Sequence, residues 1–218
     1  MEFRASSPKI HALPHALTRL LRADVPFTFL KRGDGEEACM SGEVGENCDG
    51  HPYSEELSDA LRAAYAFLEM LPEVIEVRFM EADYEAILHY PHVDLAAVKE
   101  FWRAVRESPH RKILVAPARL AGIRRLLQIS EHVEIPVRNA FQAYAGIGRR
   151  LRGLCSASDI FVFCAGMPGK VWMADLLKVR RDIWCIDAGS AFDALFFTQT
   201  REGQIGTADL QALYGDMM

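Results

Sequence analysis

The sequence has few cysteines, no long hydrophobic run and no excess of positive charge. Its five cysteines are an odd number and widely spaced, which favours reduced thiols in a cytoplasmic protein over a secreted disulfide framework. No apolar run approaches the roughly 18–20 residues of a membrane span, and the first residues contain no signal-peptide core. The formal net charge of −5 disfavours nucleic acid as a partner. We therefore expect a soluble globular protein.

Several motifs of common enzyme classes are also missing. There is no Gly-x-Ser-x-Gly elbow, which disfavours a hydrolase with a serine nucleophile. Neither the Walker A spacing nor the dinucleotide fingerprint is present. Cys39, Cys48 and His51 do not have a standard zinc spacing.

The hydrophobic pattern alternates between strands and helices. Helical spacing marks residues 13–22, 54–68 and 94–106, and a strand is expected near 27–30 and near 74–79. From residue 112 onward, strands at 112–116, 133–137, 159–165 and 182–187 alternate with helices at 119–129, 141–154 and 170–178. The strands are apolar without alternation, which is typical of a sheet covered on both faces. The pattern predicts an α/β, Rossmann-like fold with a mostly parallel sheet and helices on both faces.

We expect the chain to form a single domain over residues 1–218, with an N-terminal helical segment at 1–25. Residues 39–53 are rich in glycine, asparagine and acidic side chains and have no helical or strand pattern. A loop of this length is often functional in a compact domain. We interpret it as a lid that closes over a ligand.

The first candidate site follows the strand near residues 27–30. In an extended chain, Asp34 and Glu36 would point to the same side and share one cation, and hard oxygen ligands favour Mn²⁺ or Mg²⁺. Gly33 and Gly35 allow close approach of the backbone to a ligand, and Arg32 supplies a fork for phosphate or carboxylate. The alternative interpretation is a solvated acidic turn.

Three further junctions follow later strands, where ligands of open α/β sheets bind. One comprises residues 116–119. The next contains Gly166 and Lys170, which suit a phosphate at a helix N-terminus or, equally, a tight connection between strand and helix. The last contains Asp187, Gly189, Ser190 and Asp193, which fit a ribose, a metal or a general base, and fit a helix cap or turn almost as well.

Taken together, these motifs resemble the GT-D fold glycosyltransferases, a family first described as a bacterial domain of unknown function. The resemblance extends from about Phe27 to Phe196. The matching positions are Arg32, Gly33, Asp34, Gly35 and Glu36 at the first junction and Gly166, Asp187, Gly189 and Ser190 later. The sequence departs from the family in having Lys31-Arg32-Gly33 where members often have arginine, an aromatic residue and glycine.

The resemblance implies a metal-dependent transferase that moves a hexose from a nucleotide-diphosphate sugar, UDP-sugar above all, to an acceptor hydroxyl. It implies that Asp34 and Glu36 bind Mn²⁺ or Mg²⁺ and the diphosphate. Lys170 and the turn from Gly166 would contact the same phosphates, and Asp187 or Asp193 would orient the ribose or deprotonate the acceptor. The acceptor would be a glycan, a protein or a small molecule, with nucleic acid disfavoured by charge, and a homo-oligomer is allowed.

Two other functions remain open at this stage. One is a catalytically silent protein that binds a nucleotide or nucleotide sugar on the same fold. The other is a metal-dependent phosphohydrolase that uses the same carboxylates. Transfer to an acceptor would indicate the transferase, and binding without turnover would indicate the silent binding protein. Phosphate release without an acceptor would indicate the phosphohydrolase.

Overall fold

The structure is a computed structural model that describes residues 12–48 and 50–218. Of the predicted N-terminal helical segment at 1–25, residues 1–11 lie outside the described residues. The strands are β1 (Thr28–Arg32), β2 (Val74–Arg78), β3 (Lys112–Ala116), β4 (Glu131–Glu134), β5 (Ile160–Phe163) and β6 (Trp184–Asp187). Within the described part they form one six-stranded sheet in the order β2-β1-β6-β5-β3-β4, and every pair of neighbours is parallel. The predicted fold class is confirmed.

Helices connect the strands and cover the sheet. They are α1 (Leu13–Arg22), α2 (Asp34–Met40), α3 (Glu55–Leu68), α4 (Leu95–Glu107), α5 (Ile123–Leu127), α6 (Tyr144–Leu154), α7 (Gly166–Val179), α8 (Asp193–Phe196) and α9 (Thr207–Tyr214). Short 3₁₀ turns lie at Ala82–Glu85, Ala118–Leu120 and Ala140–Ala143. Among the described residues, none of these helices combines the length and the apolar character that crossing a membrane requires.

The sheet separates two hydrophobic cores. The apolar side chains of α1, α4, α5, α8 and α9 pack on one face, and those of α2, α3, α6 and α7 pack on the other. In β5, Ile160 and Val162 contribute to the first core, whereas Phe161 and Phe163 contribute to the second. Successive side chains of a strand point to opposite faces, so a strand buried on both faces is apolar throughout. This explains the unbroken apolar runs of the sequence.

Side-chain caps begin two of the predicted helices. Ser54 Oγ accepts a hydrogen bond from the Leu57 N–H at 3.2 Å and begins α3. Asp94 Oδ1 accepts hydrogen bonds from the N–H groups of Ala96 and Ala97 and begins α4. Each cap satisfies N–H groups that have no partner inside the helix.

Several predicted boundaries were wrong for local reasons. The helix predicted at 119–129 is a 3₁₀ turn followed by α5, which ends at Gln128 in the left-handed conformation with φ of 55°. The strand predicted at 133–137 is instead β4, which ends before Pro136 because proline has no N–H for a sheet. The predicted loop 39–53 begins at Ser41, because Cys39 and Met40 complete α2.

Cys39, Cys164 and Cys185 are buried thiols that form no disulfide. Burial raises the pKa of each of these three thiols. They are therefore protonated and pack as small apolar side chains.

Candidate active site at the carboxyl ends of the strands

A cavity of about 490 Å³ opens where β1, β3, β5 and β6 end. This is the edge at which open parallel sheets bind ligands. Its lining includes the sequence-predicted residues Asp34, Gly35, Glu36, Gly166, Lys170, Asp187, Gly189, Ser190 and Asp193. The sheet thus brings together residues from both ends of the chain.

Lys170 is a buried residue of this lining. Helix α7 begins at Gly166, which has a φ of +57°, so Lys170 is in the second turn and does not open the helix as predicted. Its ammonium is buried, 2.7 Å from Glu36 Oε1 and 3.0 Å from Asp187 Oδ2. Burial alone would lower the pKa of Lys170, but Asp187 and Glu36 outweigh burial and raise it. Lys170 therefore stays charged and joins two carboxylates.

Asp187 ends β6 and accepts hydrogen bonds at both of its carboxylate oxygens. Its Oδ2 accepts from the Lys31 N–H at 3.1 Å as well as from Lys170, and its Oδ1 accepts from the Gly189 N–H at 3.1 Å. Burial alone would raise the pKa of Asp187, but Lys170 and Lys31 hold it below its ordinary value. Such a carboxylate is a weak proton acceptor. Its bonds suit a positioning role better than the predicted role of general base.

Lys31 is a site residue that the sequence analysis did not select. It lies on β1 and is 5% exposed, and its Nζ is 3.4 Å from the Ala188 carbonyl oxygen. Burial lowers the pKa of Lys31, although Asp187 opposes the effect. The sequence feature that could have identified Lys31 is its position directly after the apolar residues of a buried strand. Lysine is almost never fully buried unless it is paired.

Asp34 and Glu36 lie in the first turn of α2, so the extended chain assumed for them was wrong. Side chains at positions i and i+2 of a helix do not face each other. Asp34 is exposed, whereas Glu36 is buried and its Oε2 accepts a hydrogen bond from the Gly33 N–H at 3.1 Å. A Cβ at Gly33 would lie 2.6 Å from the Tyr84 hydroxyl, which explains the glycine. The two carboxylates do not form the common cradle that was expected.

Arg32 points away from the cavity and is not among its lining residues. Its Nε is 2.6 Å from Glu37 Oε1, and its Nη1 is 3.1 Å from Glu69 Oε1. Its guanidinium also lies 4.8 Å from the centre of the Tyr65 ring. The predicted fork therefore binds the carboxylates of two glutamates, and it does not face a phosphate in the cavity.

Ser190 and Asp193 connect the cavity wall to the segment that follows α8. Asp193 Oδ2 accepts a hydrogen bond from the Thr200 hydroxyl at 2.6 Å. Gln204 Nε2 donates to Ser190 Oγ and to the Ser190 carbonyl oxygen, each at 3.3 Å. Both side chains line the cavity, and both also stabilise the loop that carries them.

Two arginines add positive charge to the lining. Arg119 follows β3 at the junction of residues 116–119, and its guanidinium lies 4.4 Å from the centre of the Phe197 ring. Arg201 lines the same cavity from the segment after α8. The sequence marked the position of Arg119 as a strand end but contained no signal for Arg201, which only the tertiary fold brings there.

Of the two predicted metal ligands, Asp34 and Glu36, only Asp34 is placed to bind a divalent ion. Within residues 12–48 and 50–218, no group of three or more histidine, cysteine or acidic side chains is arranged to hold a metal. Mg²⁺ often uses only one or two carboxylates together with substrate phosphates, and exposed Asp34 suits that role. Glu36 does not, because an ion on its Oε1 would lie against the Lys170 ammonium.

The fold is similar to solved structures of domain of unknown function 1792. One, reported to have a distinct glycosyltransferase fold, shares 17% identity with a TM-score of 0.61 and covers 88% of this chain and 83% of that chain. A selenomethionine structure of the domain shares 16% identity at the same TM-score of 0.61, over 94% of this chain and 88% of that chain. No protein-family model and no curated protein matches the sequence. The resemblance to the GT-D fold is thus confirmed for the fold.

Proposed function

We propose that the protein is a glycosyltransferase that moves a hexose from a nucleotide-diphosphate sugar, with UDP-sugar as the first candidate, to an acceptor hydroxyl. The observation that carries the proposal is the cavity at the strand ends of a fold similar to a glycosyltransferase fold. Its volume suits a ligand of nucleotide size. The acceptor would be a glycan, a protein or a small molecule, since the net charge of −5 disfavours nucleic acid.

The diphosphate of the donor would lie between Lys31 and the start of α7. Lys31 lines the cavity and its ammonium makes a long hydrogen bond to a backbone carbonyl, and α7 begins at the cavity with Gly166. The first N–H groups of a helix have no partner inside it, and its dipole favours an anion at that end. Arg119 and Arg201 add positive charge to the same cavity.

Mn²⁺ or Mg²⁺ would be held by Asp34 together with oxygens of the diphosphate. The ion would neutralise charge on the leaving nucleotide as the glycosidic bond breaks. Glu36 and Asp187 would act indirectly, since they fix the positions of Lys170, the Gly33 turn and the Gly189 turn.

Asp193 is the residue we assign to the acceptor or the ribose. It lines the cavity at the start of α8, and its Oδ2 is held by Thr200. Asp187, whose pKa is lowered, is less suited to accept a proton.

The first experiment is calorimetric titration of UDP, UDP-glucose and other nucleotide sugars in Mn²⁺ and in EDTA. We expect binding in Mn²⁺ that weakens at least about tenfold in Asp34→Ala, which is about 1.4 kcal/mol. Asp59→Ala removes another exposed carboxylate, one that pairs with Arg62 on α3, and is the matched control. A protein that binds no nucleotide under either condition would contradict the proposed function.

A binding protein without turnover is the second candidate. The observation that favours it is the neutralisation of Glu36 and Asp187 by Lys170, which leaves fewer carboxylates available for proton transfer. A coupled assay for UDP release with an acceptor panel separates the two: release that requires an acceptor indicates transfer, whereas tight binding without release indicates a sensor. Phosphate release without an acceptor would indicate a phosphohydrolase.

A further inference from the structure

Four charged side chains from four different elements meet at the floor of the cavity. Lys31 comes from β1, Glu36 from α2, Lys170 from α7 and Asp187 from β6. All four are buried, with 4% of Lys170 and 2% of Asp187 exposed. A buried carboxylate requires a cation or several hydrogen-bond donors, because its desolvation is otherwise too unfavourable.

The cation between the two carboxylates belongs to the chain itself. Lys170 Nζ lies 2.7 Å from Glu36 Oε1 and 3.0 Å from Asp187 Oδ2. Each of the other two carboxylate oxygens accepts a backbone N–H, from Gly33 for Glu36 and from Gly189 for Asp187. One oxygen of each carboxylate is therefore directed at the ammonium, in the manner of two ligands that share an ion.

We propose that Glu36 and Asp187 form a latent divalent-cation site that the Lys170 ammonium fills. Lys170 thus takes the place of a metal ion at this point of the cavity. In the protein without nucleotide, Glu36 binds no Mn²⁺. When the ammonium is removed, the same two carboxylate oxygens become ligands for a hard divalent cation. The inference concerns the resting protein and does not depend on sugar transfer.

Mn²⁺ alone, without nucleotide, is the probe. Binding is followed by the loss of the free Mn²⁺ signal in electron paramagnetic resonance, and folding is followed by the thermal midpoint. The variants are Lys170→Met, which removes the ammonium and shortens the side chain by one atom, and Lys178→Met, which removes an exposed ammonium from the same helix as a control. The double variant Lys170→Met/Glu36→Gln also removes one of the two proposed ligands.

We expect wild type and Lys178→Met to bind Mn²⁺ only weakly and to keep their thermal midpoints when Mn²⁺ is added. Lys170→Met should melt roughly 10 °C lower, because two buried carboxylates lose their cation. It should bind one Mn²⁺ with a Kd of about 100 µM or tighter, and Mn²⁺ should restore part of the lost midpoint. The double variant should fold without responding to Mn²⁺.

Two results would overturn the inference. One is wild-type protein that binds Mn²⁺ in this range without nucleotide and loses it in Glu36→Gln. The other is a Lys170→Met variant whose folding and Mn²⁺ signal do not respond to the ion. Neither result depends on nucleotide titration, so a failure of this inference is distinguishable from a failure of the proposed function.

Discussion

At the scale of the residue, Gly189 determines where the ammonium of Lys31 lies. Its φ of +52° is in the left-handed region that favours glycine, and a Cβ there would lie 2.5 Å from Lys31 Nζ. The same residue donates its N–H to Asp187 Oδ1. One glycine therefore combines a left-handed backbone, a close approach and an anchor for a buried carboxylate.

We predict that Gly189→Ala destabilises the protein by about 2–3 kcal/mol, because strain in the left-handed region adds to displacement of the Lys31 ammonium. Urea unfolding measures this loss. Gly42 also has a positive φ, +81°, and a Cβ at that position would have nothing within 4 Å, so Gly42→Ala isolates the backbone part. Gly42→Ala should cost about 1 kcal/mol. Equal losses in the two variants would show that the contact with Lys31 contributes nothing.

At the scale of the element, the junction of β1 and α2 defines what the sequence could predict. The strand was predictable because its residues are apolar, and α3 was predictable because Ser54 caps a clear helical pattern. Helix α2 was not predictable, because its sequence begins Asp-Gly-Glu-Glu. Glycine and acidic residues are as typical of a turn as of the start of a helix. The helix forms because Glu36 is held by the Gly33 N–H and by Lys170, which is distant in sequence.

In the candidate site too, some features were predictable from the sequence and others were not. Asp34, Lys170, Asp187 and Gly189 were found because parallel strands present their carboxyl ends at one edge of the sheet. The ion pair between Glu36 and Lys170 was not predicted, because it depends on how α2 and α7 pack. Arg32 was misjudged for the same reason, since only the fold turns it toward Glu37 and Glu69.

The cap of α3 leads to a prediction at this scale. Ser54→Ala removes the acceptor for the Leu57 N–H and should destabilise the protein by about 1 kcal/mol, which lowers the thermal midpoint by roughly 2–4 °C. Nucleotide affinity should not change, because Ser54 is not a lining residue of the cavity. Ser130→Ala at an exposed position is the control, with an effect within about 0.5 kcal/mol. A loss of affinity in Ser54→Ala would mean that α3 positions the site.

At the scale of the whole molecule, a buried histidine joins the segment after β6 to the helix α9. His89 Nδ1 lies 2.6 Å from the Ala191 carbonyl oxygen, and its Nε2 lies 2.6 Å from the Tyr214 hydroxyl. Burial lowers the pKa of His89 to about 4, although the Ala191 carbonyl opposes the effect. The folded protein therefore holds this histidine neutral where an unfolded chain would protonate it.

We predict that the free energy of unfolding falls as the pH decreases from about 6.5 to about 4, by up to about 3 kcal/mol from His89 alone. The sign follows because the unfolded chain binds the proton first. The lowered pKa of Asp187 acts in a lower window, below its ordinary value of 3.8, where protonation of the unfolded chain again reduces stability. Urea unfolding from pH 7 to pH 4 measures the first slope, which His89→Gln should remove. An unchanged slope in that variant would assign the dependence to other groups.

The order of the strands also has a consequence for synthesis on the ribosome. As the nascent chain emerges, β1 can pair with β2, and β3 with β4, but these are two separate ribbons. Only β5 and β6, which are translated last, join the ribbons into one sheet. The ribbon of β1 and β2 must therefore keep one edge of β1 unpaired until translation passes residue 187, whereas β5 can pair with β3 earlier. Asp187, the partner of Lys31, arrives only with β6.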